Sequence, residues 1–127
     1  MKKILIIDDD NNIIKMYLVK LRNSGYEVIY AINGQQGLEM ALQNHPDLIV
    51  LDLAMPVMDG MAVIKKLRED AWGKTAPVII LTNYDTDDKA IIDIQKTQPS
   101  YYLLKTNNTP NEVVEKIDEL LKVENKL

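Results

Sequence analysis

The sequence predicts an α/β fold in which a doubly wound, five-stranded parallel sheet is covered by helices on both faces. Short apolar runs rich in β-branched residues alternate five times with segments of helical period. Such an alternation is typical of parallel sheets, because each crossover helix packs on one face of the sheet. A chain of 127 residues with 46% hydrophobic content has the size and the apolar fraction of one compact domain.

The five strands are predicted from the apolar runs themselves. In chain order the runs cover residues 4–7, 26–31, 48–51, 78–81 and 102–104. The second run has no charged residue at its carboxyl end and continues into Ile32, Asn33 and Gly34. It therefore fits an edge position, which gives the strand order 2-1-3-4-5 and places the first and third strands side by side.

The five helices are predicted from apolar residues spaced three or four positions apart. The stripes are Ile13, Ile14, Tyr17, Leu18 and Leu21; Leu38, Ala41 and Leu42; Ile64, Leu67 and Ala71; Ala90, Ile91 and Ile94; and Val113, Val114, Ile117, Leu120 and Leu121. Gly25 is predicted to follow the end of the first helix, and Asp59 to cap the third. Thr109 and Pro110 are predicted as the cap and first turn of the fifth.

Composition narrows the classes of function. A net charge of −4 with no basic block argues against direct binding of nucleic acid or of an anionic membrane. The absence of cysteine excludes disulfides, thiolate catalysis and zinc–thiolate sites. Only four apolar residues precede the aspartates near the N-terminus, too few for a signal peptide or a membrane span, so a cytoplasmic location is expected. We expect one domain, residues 1–122, followed by a short tail, residues 123–127, with His45 on the surface.

Four of the five predicted strands end on a polar residue. Asp8 and Asp9 follow the first strand, Asp52 the third, Thr82 the fourth and Lys105 the fifth. The carboxyl ends of parallel strands share one edge of the sheet, and ligands bind where the strand order reverses. Neighbouring strands lie about 5 Å apart, so the three aspartates should converge on one small pocket.

Three neighbouring carboxylates indicate a cation, since each negative charge raises the pKa of the others. Mg²⁺ suits a shallow acidic cleft, because it binds one or two carboxylates together with phosphate oxygens. A carboxylate can itself attack phosphorus and form an acyl phosphate. Lys105 can neutralise a phosphoryl oxygen and the Thr82 hydroxyl can donate to another. The set of residues therefore predicts phosphoryl transfer onto an aspartate.

The chain resembles the receiver domain of two-component response regulators over essentially its whole length. The resemblance is carried by four segments in this order: ILIIDDD, LDLAMPVMDG, VIILTN and YYLLKT. It implies a flavodoxin-like (βα)5 fold with Asp52 as the phosphoacceptor. It further implies that Asp8 and Asp9 form the metal-binding pair, with Asp9 as the direct ligand, and that the backbone carbonyl of Ala54 completes the metal shell. By the same resemblance Thr82 and Lys105 hold the phosphoryl oxygens, and Tyr102 is the aromatic switch residue.

The resemblance implies a stand-alone switch that is phosphorylated by a histidine kinase or phosphotransfer protein and then binds a downstream protein. Such a switch assists its own phosphorylation and dephosphorylation without being an enzyme. Relatives often form a homodimer through the fourth helix, fifth strand and fifth helix. Two alternatives stay open. An aspartyl-phosphate phosphatase or mutase would carry a second acid where this chain has Ala54, and an unphosphorylated pseudo-receiver scaffold would not need the intact set of site residues.

Several residues depart from the family pattern. Thr106 follows Lys105 where relatives have proline. A cis peptide bond costs about 3 to 4 kcal/mol before a residue other than proline, so we predict that the Lys105–Thr106 bond is trans. Asn83 replaces the small residue that usually follows the phosphate-binding threonine. In the family that the chain resembles, the positions two after the phosphoacceptor and two after the threonine flank the approach of a hydrolytic water, and here they are Ala54 and Tyr84. Because alanine cannot orient that water and a tyrosine ring can shield the phosphoryl group, a long-lived phosphorylated state is expected.

Overall fold

The computed structural model describes residues 1–83 and 87–122. Its elements in chain order are β1 (Lys3–Ile7), α1 (Asn11–Asn23), β2 (Glu27–Ala31), α2 (Gly34–Asn44), β3 (Leu48–Leu51), α3 (Gly60–Glu69), β4 (Val78–Thr82), α4 (Asp88–Lys96), β5 (Tyr101–Leu104) and α5 (Pro110–Lys122). A short 3₁₀ helix, Gly73–Thr75, lies between α3 and β4. Tyr84 and the predicted tail, residues 123–127, lie outside the described residues. Within the described ranges no helix combines the length and apolarity that crossing a membrane requires.

The five strands form one parallel sheet in the order β2-β1-β3-β4-β5. This confirms the predicted doubly wound topology and the edge position of the second strand. β1 and β3 are neighbours, with Ile7 level with Leu51. The backbone N–H of Asp52 donates to the Ile7 carbonyl at 3.0 Å, so the pairing of the two strands continues to the first residue beyond β3.

The core consists of two apolar layers, one on each face of the sheet. Ile4 and Ile6 of β1 pack with residues of α1 and α5 on one face, and Leu5 and Ile7 pack with residues of α2, α3 and α4 on the other. Successive side chains of a strand point to opposite faces, so a strand covered on both faces needs apolar residues at every position. This requirement explains why the central strands are continuous apolar runs rather than alternating ones.

The structure agrees with the predictions for the end of α1 and for the starts of α3 and α5. Gly25 has a φ of 94° and follows the cap of α1, a conformation that glycine adopts without steric cost. The Asp59 carboxylate accepts a hydrogen bond from the α3 backbone at 2.9 Å. At the start of α5, Thr109 and Glu112 exchange side-chain-to-backbone hydrogen bonds of 3.1 and 3.2 Å, which is a capping box.

Two residues of the predicted helical stripes do not lie in the core. α3 ends before Asp70, whose carboxylate accepts hydrogen bonds from the backbone N–H groups of Trp72 and Gly73 at 3.0 and 2.8 Å. These two hydrogen bonds stabilise a non-helical turn in place of a further turn of α3. Ala71 therefore lies outside α3 and is exposed. Leu42 lies in α2 as predicted, but on its exposed side, with 37% of its surface accessible. The prediction that Ala71 belongs to the third helix was therefore wrong, whereas Leu42 belongs to the second helix as predicted.

The strand boundaries differ from the prediction by one residue in places. β2 begins at Glu27 and not at Tyr26. Tyr26 lies directly before the strand, and its hydroxyl donates a hydrogen bond to the Asp118 carboxylate. β5 includes Tyr101 as well as the predicted residues. The peptide bond between Lys105 and Thr106 is trans, as predicted.

Candidate functional site

The acidic cleft lies at the carboxyl ends of β1 and β3. Because Ile7 and Leu51 are register partners, the residues that follow them, Asp8 and Asp52, emerge from the sheet at the same level. Asp8, Asp9 and Asp52 each place a carboxylate oxygen within 4.8 Å of the others. Asp8 and Asp52 are buried and Asp9 is exposed. The predicted convergence of the three aspartates is therefore present, and the donor set is one that could hold a hard divalent ion.

Lys105 reaches this cleft from β5, two strands away from β3. Its Nζ atom lies 2.8 Å from Oδ2 of Asp8 and 3.7 Å from Oδ2 of Asp52. Its backbone N–H donates to the Thr82 carbonyl at 2.8 Å, which fixes the start of the lysine side chain beside β4. The ammonium group therefore stands between the two buried carboxylates and offsets part of their mutual repulsion.

Asp8 is held in place from two sides. Its Oδ1 atom accepts a hydrogen bond of 2.9 Å from the backbone N–H of Asp10, and its Oδ2 atom pairs with Lys105. Asp10 in turn caps α1, because its own carboxylate accepts from the backbone N–H of Asn12 at 2.9 Å. The start of α1 thus orients the acidic cluster, and Asp10 has the structural role expected of an aspartate before a helix.

The electrostatic environment of Asp52 combines burial with nearby charges. Burial, followed by the negative charge of Asp8, raises the pKa of the Asp52 carboxyl group above its ordinary value. Lys105 and hydrogen bonds from the Thr82 hydroxyl and the Ala54 backbone N–H act in the opposite direction. Thr82 is completely buried. Thr82, Ala54 and Lys105, which the sequence predicts as site residues, therefore all interact with Asp52.

A pH dependence of stability follows from the raised pKa of Asp52. Without metal, the folded protein holds the Asp52 proton at pH values where the unfolded chain has lost it, so the free energy of unfolding should fall as pH rises from 3.8 through the raised pKa. Asp52→Asn cannot titrate at this position. Urea unfolding of both proteins in EDTA should show the variant gaining stability relative to wild type over that pH range. A constant difference between the two proteins would contradict the expected environment of Asp52.

The cleft has a volume of about 400 Å³. It is lined by Asp8, Asp9, Asp10, Asp52, Ala54, Asn83 and Lys105. Asp10 and Asn83 are the two lining residues to which the sequence assigned no role in the site, although Asn83 stood out because it departs from the family pattern. Its position directly after Thr82 at a strand end was the signal that could have placed it there.

Tyr102 lies away from the acidic cleft. It is a register partner of Ile80, so it lies two residues below the strand edge at which Thr82 stands. Tyr102 packs on the face of the sheet that carries α2, α3 and α4, whereas Tyr101 packs on the opposite face. The adjacent tyrosines thus point to opposite faces, as the period of a strand requires. The switch role of Tyr102 stays a prediction.

The loop between β3 and α3 folds back against the phosphoacceptor candidate. Val57 has a φ of 70° and is 81% exposed, and the Met58 N–H donates to the Pro56 carbonyl at 2.8 Å. A positive φ is uncommon for a β-branched residue, so this tight turn is strained. The Gly60 N–H donates to the Leu53 carbonyl at 2.9 Å, and this hydrogen bond across the loop holds the start of α3 beside Asp52.

His45 lies at the opposite edge of the sheet, before the amino end of β3. It ends α2 with a φ of 46° and is exposed, as predicted. Its ring stacks on Trp72 with 4.3 Å between the ring centroids. The length of β3 separates His45 from the acidic cleft, which agrees with a surface role for this histidine.

A parallel sheet in this strand order, with an acidic cleft and a lysine at its carboxyl edge, is the arrangement of a receiver-type signalling domain. Residues 4–118 match the family described as the response regulator receiver domain, and the chain belongs to that family. The chain is thus a phosphorelay signalling domain.

Curated relatives and solved structures agree with this membership. The chain is 33% identical to the alkaline phosphatase synthesis transcriptional regulatory protein PhoP of Bacillus subtilis, over 95% of this chain and 49% of PhoP. It is 35% identical to the transcriptional regulatory protein PrrA of Mycobacterium tuberculosis, over 78% of this chain and 42% of PrrA. The chain thus spans about half the length of these relatives or less. The chemotaxis protein CheY4 of Vibrio cholerae superposes with a TM-score of 0.85 at 29% identity, covering 95% of this chain and 99% of CheY4.

Proposed function

We propose that the chain is a phosphorelay switch that accepts a phosphoryl group on Asp52 from a histidine kinase or phosphotransfer protein in the cytoplasm. The observation that carries the proposal is the convergence of Asp8, Asp9 and Asp52 within 4.8 Å, with Lys105 between the two buried acids. Burying like charges costs free energy of folding, so their presence is better explained by a function than by a structural role.

The proposed transfer is an in-line displacement at phosphorus. A carboxylate oxygen of Asp52 attacks the phosphorus of the phosphohistidine, the P–N bond breaks, and its electron pair returns to the imidazole. Lys105 already lies 3.7 Å from Asp52, so its ammonium group can move onto a new phosphoryl oxygen. The Thr82 hydroxyl, which hydrogen-bonds Asp52 in the free protein, can donate to a second oxygen.

The residues of the cleft fit Mg²⁺ as the cofactor. Asp8, Asp9, Asp52 and the backbone carbonyl of Ala54 would hold the ion, all through oxygen atoms, as a hard cation requires. When bound, the ion neutralises negative charge on the transferring phosphoryl group. The chain itself supplies only the nucleophile and the donors to the phosphoryl oxygens, so we propose a phosphoacceptor switch that assists its own phosphorylation and dephosphorylation rather than an enzyme.

The proposed output surface is formed by α4, β5 and α5, through which the domain would bind its downstream protein target and form a homodimer. Ile92 of α4 is 53% exposed, although it is a large apolar residue. Between β5 and α5, the Tyr101 hydroxyl donates to Glu119 at 3.1 Å and the Lys116 ammonium lies 4.9 Å from the Tyr101 ring centroid. An exposed apolar side chain on α4 and polar groups between β5 and α5 are the kinds of residue found in protein interfaces.

Incubation with acetyl phosphate and Mg²⁺, followed by Phos-tag electrophoresis, tests the proposed function. A phosphoacceptor domain should give a retarded band, and this band should not form when EDTA is present during the incubation. Absence of the band at saturating acetyl phosphate would favour a pseudo-receiver scaffold. Turnover of p-nitrophenyl phosphate would favour the phosphatase alternative, which Ala54 disfavours because its side chain cannot act as a general acid.

Replacing Asp9 by alanine should remove Mg²⁺ binding and leave the fold intact. Asp9 is exposed and close to two other carboxylates, so its loss costs no buried contact and relieves repulsion. We expect Mg²⁺ affinity, measured by isothermal titration calorimetry, to fall by at least ~10-fold. Loss of a residue that only supports a metal ligand already lowers metal affinity by this factor, and Asp9 is proposed as a ligand itself. The free energy of unfolding in EDTA should stay equal or rise.

Asp10→Asn is the matched control for Asp9→Ala. It removes a charge from the same cleft but keeps the cap of α1, since asparagine caps helices as well as aspartate does. Its Mg²⁺ affinity should stay close to that of the wild type. A strongly destabilised Asp9→Ala would mean that Asp9 is a structural residue rather than a ligand.

A further inference from the structure

A second cavity, of about 490 Å³, is formed by the loop that follows β3 and by the start of α3. Its volume lies in the range of pockets that bind small organic molecules. Leu53 is buried, Met55 and Met61 are half-buried, and Ala54 and Pro56 are exposed. We call the apolar residues that line this cavity the apolar groove: Leu53, Ala54, Met55, Pro56 and Met61.

Two aspartates also line this cavity, and both carboxylates have partners of another kind. Asp59 caps α3, since its carboxylate accepts a hydrogen bond from the Ala62 N–H at 2.9 Å. Asp9 belongs to the acidic cluster and is a proposed ligand of Mg²⁺, which would offset its negative charge. The chemistry of the cavity therefore favours an apolar ligand group over a cationic one.

The apolar groove adjoins the acidic cleft. Asp9 and Ala54 line both cavities, and Ala54 comes only two residues after Asp52. A molecule whose phosphoryl group lies beside Asp52 can therefore place an attached organic group against the groove. Acyl phosphates have this form, because a phosphoryl group and an apolar chain are joined through a single carboxyl group.

We propose that the apolar groove binds the acyl chain of small acyl phosphates, so that donors with longer chains phosphorylate the domain faster than acetyl phosphate does. The inference rests on the proposed function, since it concerns the phosphodonors of the same site. A carboxylate oxygen of Asp52 attacks phosphorus, the P–O bond to the acyl group breaks, and its electron pair leaves on the carboxylate of the released acid. Met55 and Met61 supply adaptable apolar surface to the chain.

A comparison of acetyl phosphate with n-butyryl phosphate tests the inference on the unaltered protein. The two leaving carboxylates have nearly equal basicity, so a difference in rate reports binding of the chain and not the chemistry of the P–O bond. At low, equal donor concentrations in Mg²⁺, we expect phosphorylation by n-butyryl phosphate to be roughly fivefold faster, because two additional methylene groups become half-buried. Phos-tag electrophoresis of timed samples measures both rates.

Variants of the groove show where the chain binds. Met55→Gln and Met61→Gln keep the length of the side chain but make it polar, so each should lower the ratio of the two rates toward one. Met55→Leu keeps the apolar surface and should preserve the ratio. Met58→Gln is the matched control, because Met58 is a half-buried methionine of the same loop that is not among the residues lining the cavity. It should also keep the wild-type ratio.

The ratio of two donors within one variant cancels any change in the acidic cleft itself, since both donors react with Asp52. Equal rates with the two donors in the wild type would overturn the inference while leaving the proposed function intact. An unchanged ratio in both Met55→Gln and Met61→Gln would also overturn it, because the preference would then arise elsewhere. Absence of labelling by either donor would instead contradict the proposed function, and the role of the groove with it.

Discussion

Asp52→Asn should reduce phosphorylation by acetyl phosphate to background. The amide oxygen of asparagine is a poor nucleophile toward phosphorus, whereas the Asp52 carboxylate lies beside both Asp8 and Lys105 at the end of β3. The substitution is nearly isosteric, and it removes a buried group whose pKa is raised, so the variant should fold and be more stable than the wild type in EDTA. Phos-tag electrophoresis and intact-mass spectrometry measure the loss.

Asp59→Asn is the matched control for this experiment. Asp59 lies in the loop that follows Asp52, is exposed, and caps α3, a role that asparagine also performs. This variant should be labelled at the wild-type rate. Acid-labile and base-labile phosphate that persists on Asp52→Asn would show that another residue accepts the phosphoryl group, and the central proposal would then be wrong.

Gly60→Ala should destabilise the domain by about 3 kcal/mol and impair phosphorylation, since overpacking against a rigid backbone is costly. A Cβ atom at Gly60 would lie 2.2 Å from the carbonyl oxygen of Asp52 and 2.7 Å from the Cα atom of Leu53. Both contacts are with backbone, and Asp52 directly follows a completely apolar, buried strand. The backbone of Asp52 or the start of α3 must therefore shift. Urea unfolding measures the first effect, and the rate of labelling by acetyl phosphate measures the second.

Gly25→Asn controls for the loss of a glycine in general. Gly25 has a φ of 94° but nothing within 4 Å of its Cβ position, and asparagine tolerates a left-handed backbone better than other residues with a Cβ atom. Its free energy of unfolding should fall by no more than about 1 kcal/mol. If Gly60→Ala were as stable as Gly25→Asn and fully active, the loop after β3 would not press against Asp52 as described.

The main features of the fold and of the acidic cleft were predictable because they depend on patterns local to each strand. Continuous apolar runs such as Leu48–Leu51 indicate strands buried on both faces, and five of them alternating with helices specify a parallel sheet. Asp8 and Asp52 each directly follow their strand, so parallel pairing of β1 with β3 brings them to one level. The convergence of the aspartates needed no information beyond strand order and spacing.

Local patterns could not predict features that depend on contacts between distant parts of the chain. The period of three and four residues continues through Ala71, but the Asp70 carboxylate binds the backbone beyond it and ends α3. The sequence placed Lys105 at the cleft, but which carboxylate it pairs with more closely depends on the reach of its side chain across β4.

Sequence alone determined the topology and the set of residues at the carboxyl edge, because strand periodicity and parallel pairing impose both. How those residues pair, and which contacts hold the helices in place, depends on parts of the chain that meet only after folding. Arg68 shows the difference most clearly: its sequence position indicates a basic residue near a helix end, which usually faces solvent, yet it binds the carbonyls of Thr97 and Gln98, about thirty positions away. Backbone carbonyls are present at every residue, so no sequence pattern marks those that a folded chain will bring to a guanidinium group.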